Sequence, residues 1–168
     1  MNSIVNTITK NLPDYWDKNI SYQNPYRRIN VSIYRAEYDK ISDILSKAAN
    51  DYHHQLRRLE RVQNVYAYGQ FIVREQFFIN NAPLSTCYRV QRFYVLRKIY
   101  LEDAIEYNLD PRRIGVGTTT ITFLSKINFV PDDHVVLVLK VLTYNPNQDS
   151  ITPERSSDYF IEYVAYLD

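Results

Sequence analysis

A length of 168 residues suits one domain with a sizeable core, and an apolar fraction of 45% is ordinary for a globular protein. The formal net charge of +1 excludes a general electrostatic attraction of the whole molecule to nucleic acid or to an anionic membrane. The single cysteine, Cys87, excludes an internal disulfide framework and a cysteine-rich metal site. No stretch is long and apolar enough to span a bilayer, so we expect a soluble intracellular protein, cytoplasmic or nuclear, with no membrane partner.

The first half of the chain is predicted to be irregular at its start and mainly helical afterwards. Residues 1–30 contain Pro13 and Pro25 as breaks and Trp16 as a packing anchor, and residues 1–11 are expected to be a flexible or irregular segment. Two later stretches carry apolar residues at helical spacing, and an alternating stretch between them favours a strand. The expected elements are a helix over 35–49, a strand over 53–62 and a helix over 65–78, the last capped by Asn64.

The second half is predicted to be mainly strand. An almost unbroken apolar run from Val135 to Tyr144 has the length and valine content of a central strand buried on both faces. The other expected elements are strands over 88–96, 118–123 and 159–166 and a short helix over 101–105, which Asn108 and Pro111 end. Because helices come early and strands dominate later, the predicted class is α+β, in a single domain over residues 1–168.

Few side chains carry recognisable chemistry. His53 and His54 would point to opposite sides of a strand, and His134 has no acidic or histidine neighbour at ligand spacing, so no metal site is predicted. No P-loop, zinc spacing or Gly-x-Ser-x-Gly elbow is present. The arginines and aromatics of the Arg89–Arg113 region form a candidate surface for phosphates and bases. Alternating exposed arginines on an edge strand would have the same pattern.

The turn from Asp110 to Thr118 is the most distinctive local feature, because it contains two of the three glycines in the chain. Gly115 and Gly117 permit a positive φ or a close backbone approach, and Thr118 supplies a hydroxyl. A tight connection into a strand would have the same composition, so the turn alone leaves both interpretations open.

Five segments form an ordered set of short motifs along the chain. They are Leu-Pro-Asp-Tyr-Trp at 12–16, Leu-Glu-Arg-Val-Gln-Asn at 59–64, Asn-Leu-Asp-Pro-Arg at 108–112 with the glycines that follow, Lys-Val-Leu-Thr at 140–143 and Glu-Tyr-Val-Ala-Tyr at 162–166. In this order they resemble the catalytic domain of the poly(ADP-ribose) polymerase (PARP) family, above all its mono-ADP-ribosylating branch. The resemblance implies an ADP-ribosyltransferase-like α+β fold, with a curved, split antiparallel sheet and flanking helices.

The same resemblance implies an NAD site built on a His-Tyr-Glu signature. Active members hold the NAD ribose and carboxamide with a His-Gly pair and stack the tyrosine of a Tyr-Phe pair on nicotinamide. The glutamate orients the ribose and the acceptor in polymerising members, and mono-transferring members commonly have an apolar residue there. The positions that match the signature are Tyr94, or the next residue if the preceding helix is gapped differently, with Thr122 and Glu162, and only Glu162 is retained. The cofactor-binding positions, if NAD binds, are Tyr94, Val95, Arg112, Gly117, Thr118, Phe123 and Glu162.

Each departure from the signature is expected to lower the affinity for NAD. Val95 adds Cβ bulk where the family has a close backbone approach. Loss of the stacking tyrosine removes roughly 1 kcal/mol, and loss of the histidine removes a hydrogen bond of similar size. Since about 1.4 kcal/mol is tenfold in affinity, these losses together amount to orders of magnitude.

We therefore expect a pseudoenzyme that requires no cofactor and acts as an intracellular interaction or effector module, with a protein as its partner. Two alternatives stay open. One is an active mono-ADP-ribosyltransferase with a rearranged site, which would bind NAD and transfer ADP-ribose to protein or nucleic acid. The other is a domain that binds RNA or a nucleotide through the Arg89–Arg113 surface.

Overall fold

One antiparallel sheet organises the computed structural model, which describes residues 8, 10–19, 26–49, 54–82, 84–117 and 120–168. The strands are β1 (Tyr26–Asn30), β2 (Leu56–Asn64), β3 (Tyr88–Arg97), β4 (Phe123–Leu124), β5 (His134–Thr143), β6 (Ser150–Ile151) and β7 (Tyr159–Leu167). They form a seven-stranded sheet in the order β1-β2-β7-β5-β3-β4-β6, and every neighbouring pair is antiparallel. The expected α+β class is confirmed.

Helices cover both faces of this sheet. They are α1 (Ala36–Ala48), α2 (Val65–Asn81) and α3 (Leu101–Glu106), with short 3-10 turns at Lys98–Tyr100 and Ser156–Asp158. The α1 and α2 helices pack on one face, and α3 packs on the other together with the loop that follows it. Among the described residues, no helix combines the length and the apolar character that a membrane crossing requires.

The predicted central strand is confirmed as β5, which lies between β7 and β3. Its residues from Val135 to Leu139 are all fully buried. Alternate side chains of this stretch enter the core against α3 and the core against α1, so neither face of residues 135–139 meets water. This explains why the segment is a continuous apolar run rather than an alternating one.

Local signals also place the helices correctly. The Asn64 side chain accepts a hydrogen bond from the Ala67 amide at 3.0 Å, which caps α2, and its amide nitrogen donates to the Ile105 carbonyl at 2.9 Å. The cap therefore also connects α2 to α3. Trp16 is buried against Tyr68 of α2, as the packing-anchor interpretation predicted.

Two local predictions are wrong. Residues 26–30 were expected to be irregular, but they form β1, which pairs with Asn64 to Glu60 of β2. The expected strand over 118–123 is reduced to Phe123–Leu124, while residues 120–122 form no ladder and 118–119 lie outside the described residues. In both cases pairing with a distant segment decides strand formation, and local composition does not encode that pairing. Of the predicted N-terminal segment 1–11, residues 1–7 and 9 also lie outside the description.

Candidate functional site

A β-bulge in β7 determines which side chains face each side of the sheet. Ile161 and Tyr163 pair with the consecutive residues Val138–Leu139 of β5, so Glu162 is an extra residue in the ladder. Glu162 and Tyr163 therefore line the same pocket on the α1 side, although they are adjacent in sequence. Ile161 and Val164 both enter the core on the α3 side. Bulges of this kind redirect side chains and are frequent beside functional sites.

The Glu162 carboxylate is held by three neighbours on the floor of a cavity of about 260 Å³. Its Oε1 accepts a hydrogen bond from the Tyr15 hydroxyl at 2.6 Å, and its Oε2 accepts one from Gln91 Nε2 at 3.4 Å. Lys140 Nζ lies 3.9 Å from Oε2. Glu162 is only 6% exposed, so these contacts supply the polar partners that a buried carboxylate requires.

A second carboxylate, Glu37 at the start of α1, closes the other side of the same pocket. Its Oε1 accepts from the Tyr163 hydroxyl at 2.9 Å and lies 3.2 Å from Nε of the buried Arg61. Burial, followed by the charges of Glu162 and Glu37, raises the pKa of Tyr163 well above its ordinary value. Burial and Glu162 raise the pKa of Tyr15 in the same way. Both phenols therefore stay protonated and act as hydrogen-bond donors.

Tyr94 lies on the opposite face of the sheet, in an aromatic cluster. Its ring meets Phe123 edge to face at 6.1 Å between centroids, and Phe123 meets Tyr159 at 4.7 Å. Phe123 is completely buried, and burial alone raises the pKa of Tyr94. The side chains next to Tyr94 thus form a packed hydrophobic cluster with α3 and its following loop.

The structure consequently brings only part of the predicted site together. Tyr94 and Phe123 are in contact, whereas Glu162 faces the other side of the sheet with Gln91 and Tyr15. Val95 packs against the α1 core, away from the side that Tyr94 faces. In β7 the residues on the Tyr94 side include Ile161 and Val164, both apolar.

The remaining predicted positions are peripheral. Thr122 is exposed, and its Oγ1 lies 2.7 Å from Oγ1 of Thr152. Arg112 is also exposed and forms a paired contact with Asp110, at 2.9 Å from Nε to Oδ1 and 2.6 Å from Nη2 to Oδ2. These hydrogen bonds lower the pKa of Asp110 to about 2. Thr118 lies outside the described residues.

The two turn glycines have different structural roles, although both adopt a φ of +67°, as the sequence suggested. A Cβ on Gly115 would lie 2.5 Å from the hydroxyl of Tyr100, so the turn passes directly against that side chain. A Cβ on Gly117 would meet nothing within 4 Å. Gly115 therefore serves packing, and Gly117 serves only the backbone conformation.

The arginines of the Arg89–Arg113 region do not form one free basic surface. Arg89 is paired with Glu75 of α2 through contacts of 2.5 and 2.6 Å, and Arg113 stacks on the Tyr107 ring at 3.7 Å. Arg92 is buried and donates to the carbonyls of the loop at 146–148, and burial lowers its pKa. These cations are used within the fold, and they point in different directions from the sheet.

No group of three or more metal-ligating side chains occurs among the residues the structure describes. His54 Nδ1 lies 3.1 Å from the Asp168 carbonyl and His134 Nδ1 lies 2.7 Å from Asp133, while His53 lies outside the description. The residues that sequence reasoning missed are those that surround Glu162, in particular Gln91 and Tyr15. Lys140, a single charge within the apolar run of β5, was the one signal that could have indicated a polar site on this face.

In comparisons with known proteins, neither a family model nor a curated protein matches the chain.

Proposed function

We propose that the chain is a PARP-catalytic-like domain of the ADP-ribosyltransferase type that lacks a working NAD site and acts inside the cell by binding another protein. The observation that carries the proposal is that Tyr94 and Glu162, the first and last positions of the expected signature, face opposite sides of the sheet. A cofactor held by one of these side chains would not reach the other without crossing the sheet.

The residues that flank Glu162 in β7 and face the Tyr94 side support the same conclusion. The bulge directs Ile161 to that side, and isoleucine has neither a charge nor a hydrogen-bonding group for a ribose. An apolar residue at this point agrees with the resemblance to the mono-transferring branch, which commonly lacks the glutamate. It leaves β7 without a carboxylate on this side.

The packing around Tyr94 is a second support. A planar ring such as nicotinamide would need open space against an aromatic face. Phe123 already meets the Tyr94 ring edge to face, and Tyr159 meets Phe123 in the same way. Opening the site would expose Phe123, which is fully buried. Exposing a side chain of this type costs about 1.5–3 kcal/mol in hydrophobic free energy, and this cost would reduce the free energy of NAD binding.

The contacts of Glu162 also favour a structural role. Its carboxylate is shared among Tyr15, Gln91 and Lys140, three residues that come from the N-terminal segment, β3 and β5. A ligand that used this carboxylate would have to displace at least one of them. The rearranged active transferase, which needs Tyr94 and Glu162 together, is the less supported alternative.

The test is calorimetric titration of the purified chain with NAD, together with a transfer assay using labelled NAD. We expect no saturable heat and no incorporated label, in the wild type and in Glu162→Gln alike. An active ADP-ribosyltransferase assayed in parallel shows that the reagents work. Saturable NAD binding accompanied by label transfer that Glu162→Gln abolishes would contradict the proposal and establish the active alternative.

A further inference from the structure

The carboxylate of Glu162 has one oxygen that the fold uses only weakly. Its Oε1 accepts the 2.6 Å hydrogen bond from Tyr15, but its Oε2 has only long contacts, 3.4 Å to Gln91 Nε2 and 3.9 Å to Lys140 Nζ. Hydrogen bonds from nitrogen to oxygen in proteins are normally about 2.7–3.2 Å long. Because a buried carboxylate without close donors is costly, Oε2 is a favourable acceptor for a ligand that brings one.

Glu37, on the other side of the same pocket, divides its oxygens in the same way. Its contacts with the Tyr163 hydroxyl and with Arg61 both use Oε1. Its Oε2 has no hydrogen-bond partner among the residues that the structure describes. The pocket of about 260 Å³ therefore has an available carboxylate oxygen on each of two sides.

Two lysines line this pocket together with the carboxylates. Lys140 meets Glu162 only at the long distance given above. Lys40 of α1 is exposed and has no ion-pair partner within the described part of the chain. The side chain of Lys140 is 30% exposed, against 8% for Glu162 and 17% for Glu37. The pocket thus has carboxylates at its floor and ammonium groups toward solvent.

The short distance between opposite charges restricts the ligand to one that carries both. A simple cation bound to Glu162 Oε2 would lie beside the Lys140 ammonium group, and a simple anion bound to Lys140 Nζ would lie beside the carboxylate. Like charges this close repel each other, and water screens that repulsion less in a partly buried site. A molecule with adjacent positive and negative groups satisfies both partners at once.

We propose that this pocket binds a free α-amino acid. The ammonium group of the ligand donates to Oε2 of Glu162 and Oε2 of Glu37. The carboxylate of the ligand accepts from Lys140 and Lys40. In an α-amino acid both charged groups are attached to one carbon atom, which suits two protein groups that are 3.9 Å apart.

The size and the walls of the pocket agree with a ligand of this kind. Pockets for drug-sized molecules are about 300–1,000 Å³, and this one is smaller, at about 260 Å³. Ala36 and Ile41 also line it and supply apolar contact for a short side chain. The β-bulge at Glu162 is what brings Glu162 and Tyr163 to this pocket together, and such bulges are frequent beside functional sites.

Binding of the amino acid leaves the contacts that stabilise the fold in place. Tyr15 stays on Oε1 of Glu162, and only the long contact between Oε2 and Lys140 is exchanged for contacts with the ligand. The inference goes beyond the proposed function and does not depend on it. NAD is titrated separately, so failure of one proposal leaves the result for the other unchanged.

The first experiment is thermal unfolding of the full chain with each standard amino acid in turn, followed by calorimetric titration of those that raise Tm. We expect at least one to bind saturably with a Kd of about 1 mM or lower. Acetate and methylammonium carry one charge each, and γ-aminobutyrate has its two charges far apart. All three should bind at least about tenfold more weakly. Absence of binding by every amino acid at about 10 mM, or equal binding of acetate or methylammonium, would overturn the proposal.

The second experiment titrates the amino acid that binds most tightly into variants of the pocket. Lys140→Met removes the partner of the ligand carboxylate, and Glu162→Gln removes the charge that holds the ammonium group. Each should raise Kd by about tenfold or more, as expected for a lost hydrogen bond to a charged group. Lys47→Met is the matched control, because Lys47 lies on α1 outside the pocket with its side chain 75% exposed, and it should leave Kd unchanged.

Circular dichroism of each variant shows whether it is folded. If Glu162→Gln does not fold, Lys140→Met alone decides the outcome, since Lys140 is partly exposed and methionine retains its unbranched apolar stem. A folded Lys140→Met variant that binds the amino acid as tightly as the wild type would refute the site.

Discussion

The contact between Tyr15 and Glu162 offers the sharpest test of whether Glu162 serves the fold. The Tyr15 hydroxyl donates to Glu162 Oε1 at 2.6 Å, and the carboxylate is almost completely buried. Tyr15→Phe removes the donor alone, and Glu162→Gln removes the charge while keeping the size of the side chain. With the double variant, these substitutions complete a thermodynamic cycle for the pair.

The expected magnitude follows from the geometry. A hydrogen bond to a charged group contributes about 1.5–3 kcal/mol. Because Tyr15 is itself 41% exposed, screening by water reduces this value, and we expect Tyr15→Phe to lower the free energy of unfolding by about 1–2 kcal/mol. For a domain of this length that is a fall in Tm of about 2–8 °C. The coupling energy between the two substitutions should be about 1 kcal/mol.

Urea unfolding of the four proteins measures these quantities. Trp16 is the single tryptophan, is buried and follows Tyr15 directly, so its fluorescence reports the segment concerned, while circular dichroism reports the whole fold. Tyr34→Phe, at a side chain 91% exposed, is the matched control and should change stability by less than about 0.5 kcal/mol. If the effects of Tyr15→Phe and Glu162→Gln add without coupling, the hydrogen bond does not stabilise the fold and the structural role of Glu162 is refuted.

Two further predictions concern the turn and the core. Gly115→Ala should destabilise the chain more than Gly117→Ala in thermal unfolding. Both substitutions cost about 1–2 kcal/mol because φ is positive, but only the first clashes with Tyr100. Equal losses of stability in the two variants would show that the clash is relieved at no cost. Burial, followed by the charges of nearby aspartates, raises the pKa of Tyr159. Above about pH 10 the unfolded chain therefore loses a proton that the folded chain keeps. The free energy of unfolding that is present below about pH 10 falls as pH rises. Tyr159→Phe should therefore make the alkaline loss of stability shallower by about 1.4 kcal/mol per pH unit, measured by urea unfolding at several pH values, and an unchanged slope would contradict it.

Some elements of this fold could be predicted from the sequence because they depend on interactions between residues close in the chain. The buried run that became β5, the Asn64 cap of α2 and the turn that contains Gly115 depend on neighbours close in the chain, and each is confirmed. The strand β1 was missed because it is held by pairing with β2, a segment distant in the chain. The class of the fold was therefore predictable, while part of the strand list was not.

The placement of the candidate site shows the same division more clearly. The sequence by itself determined that Tyr94 belongs to one strand and Glu162 to another, and that only the second retains the residue expected from the resemblance. Which face each side chain occupies was decided by the register of β7 against β5, where the extra residue at the bulge turns Glu162 and Tyr163 to one side and Ile161 to the other. Alternation along a strand predicts faces only while the ladder is regular, and a bulge arises from pairing and packing with segments distant in the chain. The tertiary structure alone therefore separates the two residues that the sequence had grouped into one site.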